Sequence, residues 1–347
     1  MKIKRAELLE ALNIVEPGVA TNAVIEQMGC ILFTGQDMIT FNNQVAVLYP
    51  FDTEFEVAIN HADLKNIVTK IKKDEIEFVM GESELLITTK TTKAGLVPLT
   101  TEDIDESIDS LISQLPNEEN DLEWQDLPDG FIDGALLCAP AAAHDLSQGP
   151  LACLYINNSN LVCGDNQRIS WYEMNKPIEG DEFFIRAGVV GELAKFNVKQ
   201  LCVSDSWANF VTDDNVIFST KLVKGKSIEY FTEMFAGFKG NVIALPEGLR
   251  EIVEAAAVMA EDTDTKDMQI SIQKGEMICA TQNNRGWVEK TIPLKYDKKK
   301  PVELFISAKF LQQILNLPLK MTVGKDRSMF QSGQFKHMLI HKVREEA

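Results

Sequence analysis

The residues of this 347-residue chain that could do chemistry are four histidines, six cysteines and a surplus of carboxylates. His337 and His341, in HMLIH, have the i, i+4 spacing that puts two imidazoles on one face of a helix, where they could bind a metal. The stretch reads instead as a terminal strand, on which four residues span about 13 Å, too far for one ion. The acids of EDTDTKD, residues 261 to 267, alternate as in a calcium loop but lack its glycine and its closing glutamate. No Walker A motif, dinucleotide fingerprint or GxSxG is present. The cysteines (30, 138, 153, 163, 202, 279) are scattered singly without a CxxC and read as small buried hydrophobes of an intracellular protein. No catalytic residue, metal or cofactor is expected.

One polar cluster stands out. CGDNQRISWYEM, residues 163 to 174, sets Asp165, Asn166, Gln167 and Arg168 between an apolar run and a Trp-Tyr pair. TFNNQVAVLY (40 to 49) and CATQNNRGWVEK (279 to 290) do the same, with Gln44, Gln167 and Asn283 spaced by 123 and 116 residues. Recurrence at such a period marks a repeated chain, not a lone catalytic loop.

The elements that would position the cluster recur with it. Ile59, Ile185 and Ile306 each end an extended stretch, with apolar residues five positions on (Leu64, Val190, Leu311) and eight on (Ile67, Leu193, Ile314). That is a strand followed by an amphipathic helix. LPDGFIDGALLCA at 127 and LPEGLREIVEAAAVM at 245 open a second helix, and IKRAELLEALNIV at 3 is a weaker first copy. Gly81, Asp213 to Asn215 and Gly333 are expected hairpin turns. Each repeat therefore reads helix, strands, polar cluster, strands, helix, strands. The expected fold class is α+β, in three similar domains at 1–116, 117–236 and 237–347.

Composition narrows the function classes. The chain is 45% apolar and 25% charged, with a net charge of −18. This is a soluble globular composition, with no apolar run long enough to span a bilayer and no signal-peptide pattern, so a cytoplasmic location is expected. A wholly basic nucleic-acid binder is excluded, whereas a basic surface on one face is not.

The repeats resemble the bacterial beta sliding clamp, the processivity subunit of replicative DNA polymerases. KLVKGKSIEY (221 to 230) is similar to that family's KLV-D-G-R/K-F-P-D-Y stretch, with Lys221, Leu222, Val223, Gly225, Lys226 and Tyr230 in place. The 163 to 174 cluster resembles its ATDGHRLA stretch: Asp165 and Arg168 match, Ile169 stands for Leu, and Asn166-Gln167 replaces Gly-His. The chain ends HKVREEA and not on the family's apolar tail.

The resemblance implies a ring-forming homodimer with helices lining the hole and sheets outside. Such a ring would encircle duplex DNA without sequence preference, tether the polymerase, and have no enzymatic activity. The alternative is a non-catalytic, repeat-built protein-binding scaffold that does not encircle DNA. The lining would carry Lys4, Arg5, Lys65, Lys70, Lys72, Lys73, Lys195, Lys199, Arg250, Lys309 and Lys320 on its helices. A pocket for polymerase and clamp-loader peptides maps to Gly164, Asn166, Gln167, Arg168, Ile169, Ile228, His337 and Leu339. The dimer contact maps to Leu96, Val258 and Met259.

Overall fold

The computed structural model describes residues 1–20, 26–99, 113–116, 123–226, 231–260 and 266–342. Ile228, Tyr230, most of EDTDTKD, the C-terminal VREEA and the start of the second domain at 117 lie outside the described residues. Contacts divide the chain into two compact units, 1–127 with 189–222, and 128–188 with 223–347.

In the first unit an eight-stranded antiparallel sheet runs β5 (Glu56–Asn60), β2 (Cys30–Thr34), β3 (Asp37–Asn42), β4 (Val45–Pro50), β16 (Ile217–Lys221), β15 (Trp207–Thr212), β14 (Val198–Val203), β9 (Gln125–Asp126). A four-stranded sheet runs β1 (Lys2–Lys4), β6 (Glu75–Met80), β7 (Leu85–Thr88), β8 (Lys93–Leu96). The helices are α1 (Arg5–Val15), α2 (His61–Lys70) and the single turn α4 (Val190–Leu193).

The second unit repeats the plan. Its eight-stranded sheet runs β13 (Phe183–Arg186), β10 (Cys153–Asn157), β11 (Asn160–Gly164), β12 (Arg168–Glu173), β24 (Phe335–Ile340), β23 (Arg327–Ser332), β22 (Lys320–Val323), β17 (Asn241–Ala244). Its four-stranded sheet runs β20 (Gly286–Pro293), β19 (Glu276–Asn283), β18 (Asp267–Gln273), β21 (Val302–Ser307). The helices are α3 (Phe131–Cys138), α5 (Phe231–Phe235), α6 (Leu249–Ala256) and α7 (Ala308–Gln312).

Each eight-stranded sheet is two four-stranded halves joined at one ladder, Ile217↔Leu48 through Thr220↔Val45 in the first unit and Tyr172↔Phe335 through Arg168↔Leu339 in the second. The second repeat gives β10–β13 to one sheet and β14–β16 to the other. Strand pairing therefore groups the chain differently from covalent order, and the contact boundaries fall inside that repeat.

The polar clusters are hairpin turns held by one recurring device. The side-chain oxygen of Asn42 accepts from the backbone N–H of Gln44 and Val45, that of Asp165 from Gln167 and Arg168, and that of Asn283 from Arg285. Asx residues satisfy a turn's backbone in this way. Two residues before Asn42 and Asn283, the hydroxyls of Thr40 and Thr281 donate to the carbonyls of Val15 and Ala256, at the helix ends beneath the sheets.

The helices bury one apolar face each: Leu8, Leu12 and Val15 on α1, Phe131 and Ala135 on α3, Leu249 and Val253 on α6, and on α2 Leu64 with Val68, whereas Ile67 of the expected stripe is only half-buried. Each of the Leu, Val and Phe side chains contributes about 1.5–3 kcal/mol of burial. The Asn60 and Ser307 side chains cap α2 and α7 by accepting from the N–H of Asp63 and Phe310. In the two Leu-Pro-acid-Gly stretches, Gly130 and Gly248 take φ of 83° and 78° just before α3 and α6, a left-handed conformation that suits glycine.

Candidate functional site

The β11–β12 turn gathers a set of polar bonds around Asp165 and Arg168. Asp165 Oδ2 accepts from Arg168 Nε at 3.1 Å, and Arg168 Nη1 donates to Gln313 Oε1 beyond α7. The guanidinium carbon lies 3.7 Å from the centroid of Phe310, and Arg168 is 2% exposed. A buried cation is tolerable because a carboxylate, an amide and a ring face replace its water. Gln167 is also tied down: its carbonyl accepts from the N–H of Ile340, and its side-chain oxygen accepts from Lys342 Nζ at 2.6 Å.

Beside this turn lies a cavity of about 170 Å³, lined by Pro150, Leu151, Cys153, Gly164, Asp165, Asn166, Arg168, Ile169, Met234, Met338 and Ile340. Most of the wall is apolar, with the turn supplying polar groups at one side. Such a surface suits a small apolar anchor with a few fixed hydrogen bonds. Met338 and Ile169 also belong to the core that α5 covers with Phe231 and Phe235.

Of the residues expected in the pocket, Gly164, Asn166, Arg168 and Ile169 line this cavity, and Gln167 sits in the turn beside it. His337 and Leu339 do not line it. They pair with Ser170 and Arg168 across the β12–β24 ladder, whereas Ile169 pairs with Met338. Side chains alternate faces along a strand, so His337 and Leu339 point away from the face of Ile169 and are 1% exposed. Met338 and Ile340 take their place in the wall. His337 Nδ1 is hydrogen-bonded to Ser170 Oγ at 2.7 Å. Burial, with the Arg168 charge adding, pushes its imidazole down to about 3. It is a neutral structural residue, and HMLIH runs along β24 and just past it.

All eleven cations expected in a lining are at least partly exposed, but the helices hold only Arg5, Lys65, Lys70, Arg250 and Lys309. Lys4 is on β1, Lys199 on β14 and Lys320 on β22, while Lys72, Lys73 and Lys195 are in the turns that follow α2 and α4. The helices are short, and sequence periodicity runs past their ends. Arg5 donates to the carbonyls of Val68 and Thr69 at the end of α2. Lys4, Lys65, Lys195 and Arg250 pair with Glu7, Glu16, Glu192 and Glu254.

Of the residues expected at a dimer contact, Leu96 lies on an unpartnered sheet edge, and Val258 and Met259 lie in a turn that packs beside another such edge. Leu96 ends β8, whose outer edge has no strand partner among the described residues, and Val97 after it is 80% exposed. β20 is likewise bonded only to β19, and Trp287 on it is 71% exposed. Val258, in the 3-10 turn after α6, is 74% exposed, and Met259 Cε lies 3.1 Å from where a Cβ on Gly286 would sit. Sequence reading missed Trp287, Val97, Met338 and Ile340. Strand parity, counted outward from the polar turns, is the signal that finds the last two.

Among the described residues no helix is long and apolar enough to cross a membrane. No protein-family model and no curated protein matches the sequence. Solved structures do. The chain is similar to a DNA polymerase III subunit beta sliding clamp from Bartonella birtlesii, with a TM-score of 0.85 at 18% identity over 99% of both chains. A DNA polymerase III subunit beta from Pseudomonas aeruginosa (TM-score 0.83, 16% identity) and the beta subunit from DNA polymerase of Streptococcus pyogenes (TM-score 0.83, 14% identity) are also matched over 99% of both chains. The fold along the whole chain is that of these beta subunits.

Proposed function

We propose that this chain is a DNA sliding clamp, a non-catalytic processivity factor that works in the cytoplasm. Two copies close into a ring around duplex DNA and tether a replicative polymerase. Its three domains are 1–116, 117–236 and 237–347.

The observation that carries this reading is the pair of open edges. One kind of half-sheet ends in β4, β12 or β20 and the other in β16, β24 or β8, and β16 and β24 each pair with the last strand of the first kind, β4 and β12. β8 and β20 are the equivalent strands left without such a partner among the described residues. A second copy supplies it: β8 of each chain pairs with β20 of the other, making two further eight-stranded sheets and six repeats in a closed cycle. Closure also removes the edges, which otherwise invite aggregation, and covers Val97, Val258 and Trp287. Leu96 and Met259 join that contact.

The function follows from closure. A ring holds DNA by linkage, so its lining needs only modest positive charge and no base-edge contacts. Strong phosphate attraction would slow sliding and make retention collapse with salt. The cations placed above, several shared with carboxylates, suit that weak grip. The cavity beside Ile169 and Met338 is the place for an apolar anchor from a polymerase or loader peptide. The likeness to a clamp from Bartonella birtlesii bound to griselimycin supports a ligand-taking surface on this fold.

Solution mass tests closure. Sedimentation at micromolar concentration should return twice the chain mass of 38.8 kDa. A monomer at that concentration would remove the ring.

A further inference from the structure

The half-sheets ending in β4, β12 and β20 each carry a crossover loop from that strand to the opposite edge of the half-sheet, and the three loops differ in charge. The first, FDTEF (51 to 55), has two carboxylates and no lysine. The second, MNKPIEGDE (174 to 182), has three carboxylates and one lysine. The third, LKYDKKKP (294 to 301), has four lysines and one carboxylate, in a chain whose net charge is −18.

Other elements bring more lysine to the third loop. The β18–β19 turn, Lys274-Gly275, is bonded to it twice: Gly275 N–H donates to Tyr296 O at 3.2 Å, and Leu294 N–H to Gly275 O at 2.9 Å. Lys298 Nζ donates to Asn241 Oδ1 at 2.9 Å, which brings the approach to β17 and Lys239 to the same place. The six lysines 239, 274, 295, 298, 299 and 300 are all exposed, and none is within ion-pairing distance of a carboxylate among the described residues. Leu294 and Tyr296 are buried beneath them, and the Tyr296 hydroxyl donates to Lys300 O at 2.8 Å, so the loop is held in shape.

We propose that this patch is a second nucleic-acid contact, a phosphate-backbone surface for duplex DNA distinct from the helix cations. The choice of duplex DNA rests on the clamp reading. The chemistry supports it independently on three points. The cations are all lysines, point charges without the guanidinium fork that reads base edges or clamps carboxylates. The only aromatic residue in the loop, Tyr296, is buried, so the loop itself offers no ring for stacking single-stranded bases. The apolar side chains of the loop, Leu294 and Tyr296, are buried and offer no exposed anchor point for an acidic peptide. The patch lies at the opposite strand ends of its half-sheet from the β19–β20 turn, the counterpart of the turn that borders the peptide cavity.

The test is binding of the full-length protein to a short linear duplex, from which a ring slides off and which therefore reports direct contact. Substituting glutamine at 295, 298, 299 and 300 should weaken binding at 50 mM salt at least tenfold and reduce the log–log salt slope by about 2–4, at about 0.9 per phosphate contact. Glutamine at four other exposed lysines, 90, 176, 224 and 325, gives the same net charge and should change affinity less than threefold. Equal loss in both variants, no loss in the first, or no duplex binding by the unaltered protein overturns the proposal. So does capture of polyglutamate instead of duplex. The ring is read separately, by retention on circular DNA: the quadruple variant stays on circles if the clamp reading holds, and linear-duplex binding without retention on circles would end that reading and leave this one standing.

Discussion

Ile169 and Met338 face each other across the β12–β24 ladder and together form part of one wall of the cavity. The same pairing joins two half-sheets contributed by different repeats. The cavity proposed for a peptide and the junction between half-sheets thus share these strands, and along β24 neighbouring residues divide between them by strand parity. That division separates binding variants from folding variants.

Ile340 lines the cavity and is 46% exposed, whereas Leu339 is 1% exposed. Ile340→Asp should lower affinity for an apolar clamp-binding peptide at least tenfold, about 1.4 kcal/mol, with little change in unfolding midpoint. Leu339→Ala should instead destabilise the fold by about 2–4 kcal/mol. Peptide anisotropy and urea titration on both variants check this. The reverse pattern would assign the pocket to the wrong face.

Asp165 both holds the turn and balances the buried Arg168. Asp165→Ala removes both roles and should cost about 3 kcal/mol or more. Asp165→Asn keeps the turn acceptor and should cost clearly less. Equal losses would mean that the turn bonding contributes nothing measurable.

His337 sets a pH dependence. Its folded value is pushed down to about 3, against about 6.5 when unfolded. Above about pH 6.5 neither state is protonated and the group contributes nothing. Below that the unfolded chain takes up a proton that the folded chain refuses, so stability falls by up to about 1.4 kcal/mol per pH unit until about pH 3. Burial lowers His61 too, so it adds in the same direction. The gap in stability between the unaltered protein and His337→Asn should therefore narrow between pH 7 and 5. A constant gap would exclude His337 as a source.

Trp287 on β20 and Val258 after α6 are large apolar groups left in water in one chain. Trp287→Glu with Val258→Glu places charges into the proposed contact and should convert a dimer into folded monomers, read by sedimentation with circular dichroism unchanged. A dimer that persists at nanomolar concentration would put the contact elsewhere.

The recurrence of the fold is legible in the sequence because the turns are chemical. Asn42, Asp165 and Asn283 are Asx turns at matching places, and Gly130 and Gly248 mark two helix starts by left-handed backbone. The joining of half-sheets is not legible, because β4–β16 and β12–β24 are long-range pairings that no local period encodes. The pocket is half legible: the turn residues announce themselves by type, but the opposite wall depends on which parity of β24 faces the cavity, a one-residue matter. The lysines cannot be sorted by period alone, since the helices end sooner than their apolar patterns suggest.

Retention on circular DNA tests the central claim most directly. The protein is placed by a clamp loader on a nicked circular duplex, isolated by gel filtration at high salt, and the circle is then cut once. The account predicts that protein co-elutes with the circle, resists salt, and is lost on linearisation. Release by salt with no effect of the cut would mean that charge holds the DNA and that no ring encloses it.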